Sequence, residues 1–339
     1  MHFELLKLLA DGKFHSGEAL ASSLSVSRTA IWKLIPRIRA LGLELHSVKG
    51  KGYRLQEKLN LLDGAVIMAK MPDRQRRRIA EIQVFPEIDS TSSYTYELAQ
   101  KGKLNLKDSK VFVCFAEQQS AGRGRRGRSW SSPFGHNLYL TLAREFATGI
   151  SELEGLSLVV GLALVRALQG FGFTGLGVKW PNDILWQGRK LAGILMEISG
   201  DPTGLTRVMI GMGLNVKTRP AEMTAVDQPW VDLSSIRAEL PERNQLAAGV
   251  LNEMLLALEV FEQEGFAAFK TEWDNHDALR HQAVDLRSGS DRSAAEQGIV
   301  LGVDDHGALL LETAAGVKSF HDTRDRCRQF PYQVAHTRY

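Results

Sequence analysis

The sequence has little cysteine and no long apolar segment. Only two of its 339 residues are cysteines, Cys114 and Cys327, which excludes a disulfide-stabilised scaffold and a metal site built from cysteines. No apolar stretch approaches the roughly 20 residues of a membrane-spanning helix, and the first residues lack the pattern of a signal peptide. We therefore expect a cytoplasmic protein that is not inserted in a membrane.

Charge is nearly balanced over the whole chain but uneven along it. The net charge is +3, and hydrophobic residues make up 44% of the sequence, enough for two or three folded domains and too much for a disordered chain. The first 60 residues hold ten Lys and Arg against five Asp and Glu. A basic segment of this kind is typical of an attached nucleic-acid-binding module.

The first 60 residues predict three helices and a hairpin. Apolar residues recur at helical spacing in three segments, residues 3–10, 16–24 and 28–41. Ser16 and Ser27 are suited to cap the second and third helices, and Gly42 to end the third. Residues 43–55 then alternate and turn through two Lys-Gly pairs. This order predicts a winged helix-turn-helix with the third helix as recognition helix.

We expect this module to bind DNA through the recognition helix and the hairpin turn. The candidate contacts are Arg28, Trp32, Lys33, Arg37, Lys49 and Lys51. Winged helices also serve as protein-interaction modules, and the basic side chains favour DNA over that alternative. Pro36 lies inside the recognition helix and removes one backbone hydrogen bond, which predicts a kink there.

Residues 64–278 predict a mixed α+β domain. Strands are indicated over residues 79–84, 111–116, 137–142, 178–180, 190–197 and 207–215, and helices over residues 94–99, 151–168 and 246–273. The capping-box pattern of Ser151 and Glu154 predicts that the second of these helices begins directly after Ser151. From about residue 281 short strands alternate with turns, which predicts a small β-barrel.

The most distinctive segment is residues 122–128, which hold four arginines and three glycines. Arginine forks match carboxylate and phosphate oxygens, and glycines let a loop move and approach a ligand closely. Such runs also occur as solvated charge, localisation signals or disordered nucleic-acid-binding tails. Predicted core strands on both sides favour an anion-binding loop in a folded domain.

Other polar residues fall at strand ends of the same domain, where ligand groups converge. These are Ser90, Thr91, Gln119, Lys179 and Asn215. Taken singly, each has a plainer interpretation as a helix cap, a solvated residue or part of a weak glycine pattern. Their joint occurrence with the arginine-rich segment predicts one binding site.

These motifs together resemble the biotin protein ligase family, in its bifunctional form with an N-terminal operator-binding domain. The matching segments are residues 89–91, 117–121, 122–130, 178–183, 190–195 and 211–215. The resemblance implies a winged helix-turn-helix in residues 1–60, a mixed-sheet catalytic domain of class II synthetase type in residues 64–278, and an SH3-like barrel in residues 279–339.

The resemblance also implies roles for individual residues. Lys179, Arg123 and Arg125 would be catalytic. Biotin would bind at Ser90, Thr91, Gln119, Arg123, Arg125, Lys179, Gly193, Gly211 and Gly213. ATP and the adenylate would bind at Arg125, Arg126, Trp130, Lys179, Asn182 and Asn215.

The implied ligands and partners follow the same resemblance. Biotin and ATP would form biotinyl-5′-adenylate, and the biotin carboxyl carrier protein of acetyl-CoA carboxylase would accept the biotin. The adenylate would also promote homodimers that bind operator DNA. Mg²⁺ is expected with ATP, but no carboxylate cluster in the sequence indicates protein ligands for it. The alternatives are a biotin-sensing transcription factor without ligase activity and a lipoate-type ligase.

Overall fold

The computed structural model describes residues 1–200, 204–287, 295–321 and 326–329. These residues form two compact units. Unit 1 comprises Met1–Glu145, Leu195–Glu197 and Arg207–Asn252, and unit 2 comprises Phe146–Ile194, Ile198–Thr206 and Glu253–Tyr339. No helix in the described ranges is long and apolar enough to cross a membrane.

The helices and strands alternate irregularly along the chain, as in an α+β protein. The helices are α1 (His2–Leu9), α2 (Gly17–Ser23), α3 (Arg28–Ala40), α4 (Gly64–Ala69), α5 (Asp73–Arg76), α6 (Thr91–Gln100), α7 (Leu156–Gly170), α8 (Leu233–Ile236), α9 (Arg243–Glu264) and α10 (Lys270–His276). The strands are β1 (Leu45–Val48), β2 (Gly52–Leu55), β3 (Ile79–Ile88), β4 (Val111–Gln119), β5 (Leu138–Phe146), β6 (Leu176–Lys179), β7 (Asp183–Trp186), β8 (Arg189–Gly200), β9 (Thr206–Leu214), β10 (Ala283–Arg287), β11 (Ala295–Val303), β12 (Leu309–Thr313), β13 (Gly316–Phe320) and β14 (Arg326–Gln329).

The N-terminal part of unit 1 has the predicted three helices and hairpin. The Ser16 hydroxyl accepts a hydrogen bond from the backbone of Ala19, and the Ser27 hydroxyl caps α3 in the same way. Helix α3 continues through Pro36, and β1 pairs antiparallel with β2. The buried apolar faces of α1, α2 and α3 share one core with the hairpin.

The central part of unit 1 is a sheet in which β4 and β5 are buried almost completely. The strand order is β3, β4, β5 and β9, with residues Leu195–Glu197 of β8 next to β9. Strand β3 runs parallel to β4, and β5 runs antiparallel to it. Six consecutive residues of β4, from Val111 to Ala116, are at most 1% exposed, because both faces of the sheet are covered. Helix α6 begins where β3 ends, with Ser90 as its N-cap.

Unit 2 pairs β6, β7 and the first part of β8 in antiparallel order, beneath helix α7. The predicted start of α7 is wrong. Residues Ile150–Leu153 form a 3₁₀ turn, and α7 begins at Leu156 after Gly155. Gly155 has a positive φ of 77°, and a Cβ there would lie 2.7 Å from the ring of Phe266. The helix therefore begins where only glycine fits.

The C-terminal part of unit 2 is a five-stranded antiparallel sheet. Its order is β13, β12, β11, β10 and β14. The alternation of short strands and turns predicted from about residue 281 is observed in β10, β11 and β12. Residues 330–339 of the predicted C-terminal domain lie outside the described residues.

Candidate functional site

The arginine-rich segment of residues 122–128, hereafter the arginine loop, is a folded hairpin between β4 and β5. The backbone N–H of Gly124 donates to the carbonyl of Arg128 at 2.7 Å, and that of Trp130 donates to the carbonyl of Gly122 at 2.8 Å. The tip, Arg125–Gly127, is a single tight turn in which Arg126 has a positive φ of 59°. A Cβ at Gly122 would lie 2.5 Å from the Trp130 carbonyl oxygen, so the close crossing at the loop base requires glycine.

The base of the arginine loop is tied to β8 by an ion pair. The two terminal nitrogens of Arg123 donate to the two carboxylate oxygens of Glu197 at 3.1 and 2.6 Å. Glu197 was not predicted from the sequence, because its partner lies 74 residues away and no motif marks it.

A partly buried chain of hydrogen bonds lies at the ends of β3 and β4. The Thr91 backbone N–H and hydroxyl both donate to Oε1 of Gln119, at 2.9 and 3.1 Å. Nε2 of Gln119 donates to the Ser132 hydroxyl at 2.9 Å, and the Thr141 hydroxyl donates to that of Thr91 at 2.9 Å. These partners fix the orientation of the Gln119 amide. The structure thus brings Thr91 and Gln119 together with Ser90, which caps the same helix and is 1% exposed.

Strand β9 presents two glycines where neighbouring side chains press against the backbone. A Cβ at Gly213 would lie 2.3 Å from the Trp130 indole, and a Cβ at Gly211 would lie 2.6 Å from the Ser92 hydroxyl. Trp130, which is predicted to contact ATP, packs against β9 at Gly213, where the strand has no side chain. The predicted pattern of glycines in β9 has a steric reason.

Asn215 lies directly after β9 and is 2% exposed. Its Nδ2 donates to the carbonyl of Val231 at 3.1 Å, and its own carbonyl accepts from the backbone of Leu233. Its Oδ1 is buried and has no hydrogen-bond partner within the described part of the chain. An acceptor of this kind is available to a ligand donor, as the predicted nucleotide contact requires.

A buried ion pair supports the strand that carries Gln119. Arg243 at the start of α9 donates to the Glu117 carboxylate at 2.8 Å and to three backbone carbonyls, those of Asn60, Gly135 and Asn137. Both charged side chains are at most 6% exposed. The neighbouring His136 is also buried, and desolvation lowers its pKa to about 4.

Three predicted site residues, Lys179, Asn182 and Gly193, belong to unit 2. Lys179 ends β6 opposite Asp183, and the Asn182 amide donates to the carbonyl of Ile194 at 2.6 Å. The Ile194 backbone donates in return to the Asn182 carbonyl at 2.9 Å. This reciprocal pair fixes the turn after Lys179.

A carboxylate and a second lysine also lie at this turn. Lys190 pairs with Asp183 at 2.7 Å, and both are largely buried. The buried Trp180 indole donates to the carbonyl of Gly307 at 3.1 Å. The partially exposed Lys179 therefore lies on a rigid strand end.

The predicted DNA contacts are all exposed side chains of α3 and the β1–β2 turn. Trp32 is 66% exposed. Such exposure is unusual for a tryptophan on a helix that packs against a hydrophobic core. Arg37 also lines a cavity of about 560 Å³ with His2, Glu87 and Gln118. The structure thus places Arg37 beside the central strands of unit 1.

No group of three or more His, Cys, Asp or Glu side chains in the described ranges is placed to hold a metal ion. Burial raises the pKa of the Cys114 thiol to about 12, so this thiol is protonated at neutral pH and is a poor nucleophile.

Comparison with known proteins agrees with the sequence motifs. The biotin/lipoate A/B protein ligase family model matches residues 84–215, an HTH domain matches residues 2–54, and the biotin protein ligase C-terminal domain matches residues 282–321. The bifunctional ligase/repressor BirA of Escherichia coli (strain K12) is 41% identical over 315 residues, which cover 93% of each chain.

Two further proteins extend the comparison to the central domain. The biotin--[acetyl-CoA-carboxylase] ligase of Paracoccus denitrificans is 36% identical over 210 residues, 59% of this chain and 84% of that one. The structure of biotin protein ligase from Aquifex aeolicus in complex with biotin and ATP matches with a TM-score of 0.61 and 26% identity, over 74% of this chain and all of that one. The chain belongs to the biotin protein ligase family, and to its bifunctional members with an N-terminal helix-turn-helix.

Proposed function

We propose that this protein activates biotin with ATP and transfers it to a lysine of the biotin carboxyl carrier protein of acetyl-CoA carboxylase. The observation that carries the proposal is the folded arginine loop next to the partly buried Thr91–Gln119 network. It combines cations for a carboxylate and a phosphate with fixed hydrogen-bonding groups for a small polar ring. The names of the E. coli and P. denitrificans relatives support the same activity.

The first step joins two anions. A carboxylate oxygen of biotin attacks the α-phosphorus of ATP, the bond to the β-phosphate oxygen breaks, and pyrophosphate leaves. Charge builds on the phosphoryl oxygens, so positioned cations lower the barrier. We assign this role to Lys179, with Arg125 holding the carboxylate and the phosphate and Arg123, whose guanidinium is paired with Glu197 in the ligand-free protein, positioned at the base of the loop.

The second step transfers the biotinyl group from the adenylate to an acceptor. The amine of the carrier lysine attacks the carbonyl carbon of the mixed anhydride, AMP leaves, and the amine loses a proton. The anhydride must be protected from water until then, and a mobile arginine loop suits this purpose.

The remaining site residues would bind the rest of the ligand. Ser90, Thr91 and Gln119 would bind the ureido ring, and Gly193, Gly211 and Gly213 would also contact biotin. The nucleotide would contact Arg126, Trp130, Asn182 and Asn215. Mg²⁺ would arrive with ATP and be held by phosphates and water, since the described residues offer no carboxylate cluster for it.

We further propose three domains, residues 1–60, 64–278 and 279–339. The five-stranded C-terminal sheet would belong to an SH3-like barrel, and the central domain would be of class II synthetase type. We place the protein in the cytoplasm, where ATP, the carrier protein and operator DNA are found together.

The ligase proposal is tested with biotin, Mg²⁺-ATP and an isolated biotin carboxyl carrier domain, by mass spectrometry of the carrier. We expect one biotinylated lysine. The Lys179→Ala variant should lose at least about 100-fold in the rate of adenylate formation, as is typical when one charge-stabilising group is removed. Lys101→Ala, which removes an exposed lysine paired with Glu97 after α6, should retain the wild-type rate.

Each negative result has a definite meaning. Absence of modified carrier with the wild-type protein would favour a biotin-sensing transcription factor, and modification with lipoate instead of biotin would favour a lipoate-type ligase. Equal rates for the two lysine variants would remove Lys179 from its catalytic role.

The helix-turn-helix supports a second function as a biotin-responsive repressor. We propose that the adenylate is the corepressor and that the DNA-binding form is a homodimer. Fluorescence anisotropy with labelled DNA from upstream of biotin-synthesis genes tests this. Affinity should rise at least about tenfold when biotin and ATP are added, a coupling of about 1.4 kcal/mol. An affinity that does not change with ligand contradicts the corepressor role.

A further inference from the structure

We propose that Glu197 is a positioning residue that anchors the base of the arginine loop through Arg123 and thereby slows release of the adenylate. The adenylate part of this inference rests on the proposed ligase function. The anchoring part concerns the ligand-free protein alone.

The contact between the two side chains is specific in geometry. Both terminal nitrogens of Arg123 reach a separate oxygen of Glu197, at 3.1 and 2.6 Å. A bidentate pair of this kind fixes the plane of the guanidinium as well as its position. The Glu197 side chain is 21% exposed and that of Arg123 is 44% exposed, so the pair is partly protected from water.

Glu197 lies on the same face of the sheet as the predicted site. A Cβ at Gly211 would lie 3.6 Å from the Cβ of Leu195, which places Leu195 on the face that carries the glycines of β9. Side chains two residues apart on a strand share a face, so Glu197 shares the face on which Trp130 covers Gly213. A carboxylate on this face would repel anionic ligands unless a cation neutralised it, and Arg123 supplies that cation.

The hairpin explains how an anchor at Arg123 acts on the whole loop. Arg123 and Ser129 face each other between the two hydrogen bonds that close the hairpin. In such a non-hydrogen-bonded antiparallel pair, the backbone N–H and C=O groups of both residues point away from each other. The ion pair between Arg123 and Glu197 therefore links the backbone at the base of the loop to β8. The tip, Arg125–Gly127, lies beyond this fixed point.

The first test compares Glu197→Gln with Glu145→Gln as a matched control. Glu145 also pairs with an arginine, Arg207, and its carboxylate is 18% exposed, but its ion pair does not involve the arginine loop. For Glu197→Gln we expect dissociation of preformed adenylate to be about fivefold faster, the equivalent of about 1 kcal/mol for a partly exposed ion pair. Trypsin cleavage after Arg125, Arg126 or Arg128 of the ligand-free protein should accelerate by a similar factor. Glu145→Gln should change neither rate.

The charge-swapped double variant Arg123→Glu/Glu197→Arg distinguishes anchoring from ligand contact. It should return the trypsin rate of the ligand-free loop toward that of the wild type, because the ion pair is restored in reverse. The proposal would be overturned if Glu197→Gln showed the same rates of trypsin cleavage and adenylate release as the wild-type protein. It would also be overturned if trypsin cleaved the loop of the charge-swapped variant as fast as that of Glu197→Gln. If the wild-type protein forms no adenylate, the ligase proposal fails and the trypsin rates alone decide the anchoring role.

Discussion

Gly213 shows how one missing side chain shapes the site. The Trp130 indole fills the space in which a Cβ of residue 213 would lie, with 2.3 Å between the two positions. This contact gives a steric reason for a glycine at the end of β9, where the sequence alone offered only a weak glycine pattern.

We predict that Gly213→Ala displaces Trp130. Overpacking of this kind should lower the free energy of unfolding by about 1–3 kcal/mol and raise the KM for both ATP and biotin, because Trp130 is a proposed ATP contact and Gly213 a proposed biotin contact. Gly170→Ala is the matched control, because a Cβ at the end of α7 has open space around it. Thermal unfolding and initial-rate kinetics of both variants measure the effects. A Gly213→Ala protein with wild-type stability and KM would show that the indole moves without cost.

Some residues of the site were predicted from local sequence motifs. Others belong to the site only because they contact residues far away in the sequence. Ser90, Thr91 and Gln119 were predicted at strand ends; Thr91 donates two hydrogen bonds to Gln119, and Ser90 caps the helix that Thr91 begins. Ser132, Thr141 and Glu197 were missed. Their contacts join residues 13, 50 and 74 positions apart, and no spacing in a single sequence records such pairs.

Helix starts were predictable where the cap is local. Ser16, Ser27 and Ser90 each cap the helix that follows them, and these predictions are confirmed. The start of α7 was wrong because a local capping-box pattern competes there with the contact between Gly155 and Phe266, more than 100 residues away. The short elements β7 and α5, of four residues each, were missed.

The segment between the N-terminal module and the central strands is held by contacts with elements much later in the chain. Arg243 at the start of α9 binds the carbonyl of Asn60, and Lys217 after β9 pairs with Glu57. The Arg219 guanidinium donates to the carbonyl of Gly42 at 2.9 Å. The peptide that follows Asn215, a predicted nucleotide contact, therefore touches both the linker and the end of the recognition helix.

At the scale of the whole molecule, the sequence predicted the order of the structural regions along the chain. It did not predict the side-chain contacts between residues far apart in the sequence. The α+β class, the N-terminal helix-turn-helix and the late β-rich segment each follow from periodicity within short windows. The buried ion pair of Arg243 and Glu117 could not be foreseen, since its members lie 126 residues apart. Both residues are common surface types, so burial arises only from the tertiary fold.

The buried His136 predicts how the stability of the protein depends on pH. Its Nε2 has no hydrogen-bond partner among the described residues, and burial together with Arg219, Arg243 and Lys217 lowers its pKa from 6.5 to about 4, against an opposing effect of Glu57. Because the folded pKa lies below the unfolded one, the contribution of His136 is complete above about pH 6.5 and is lost as the pH falls towards 4. Its full size is about 3 kcal/mol. Urea unfolding from pH 7.5 to 4.5 should show this loss in the wild-type protein, and His136→Gln, which does not titrate, should show a correspondingly flatter profile. Parallel profiles for the two proteins would mean that His136 titrates alike in the folded and unfolded states.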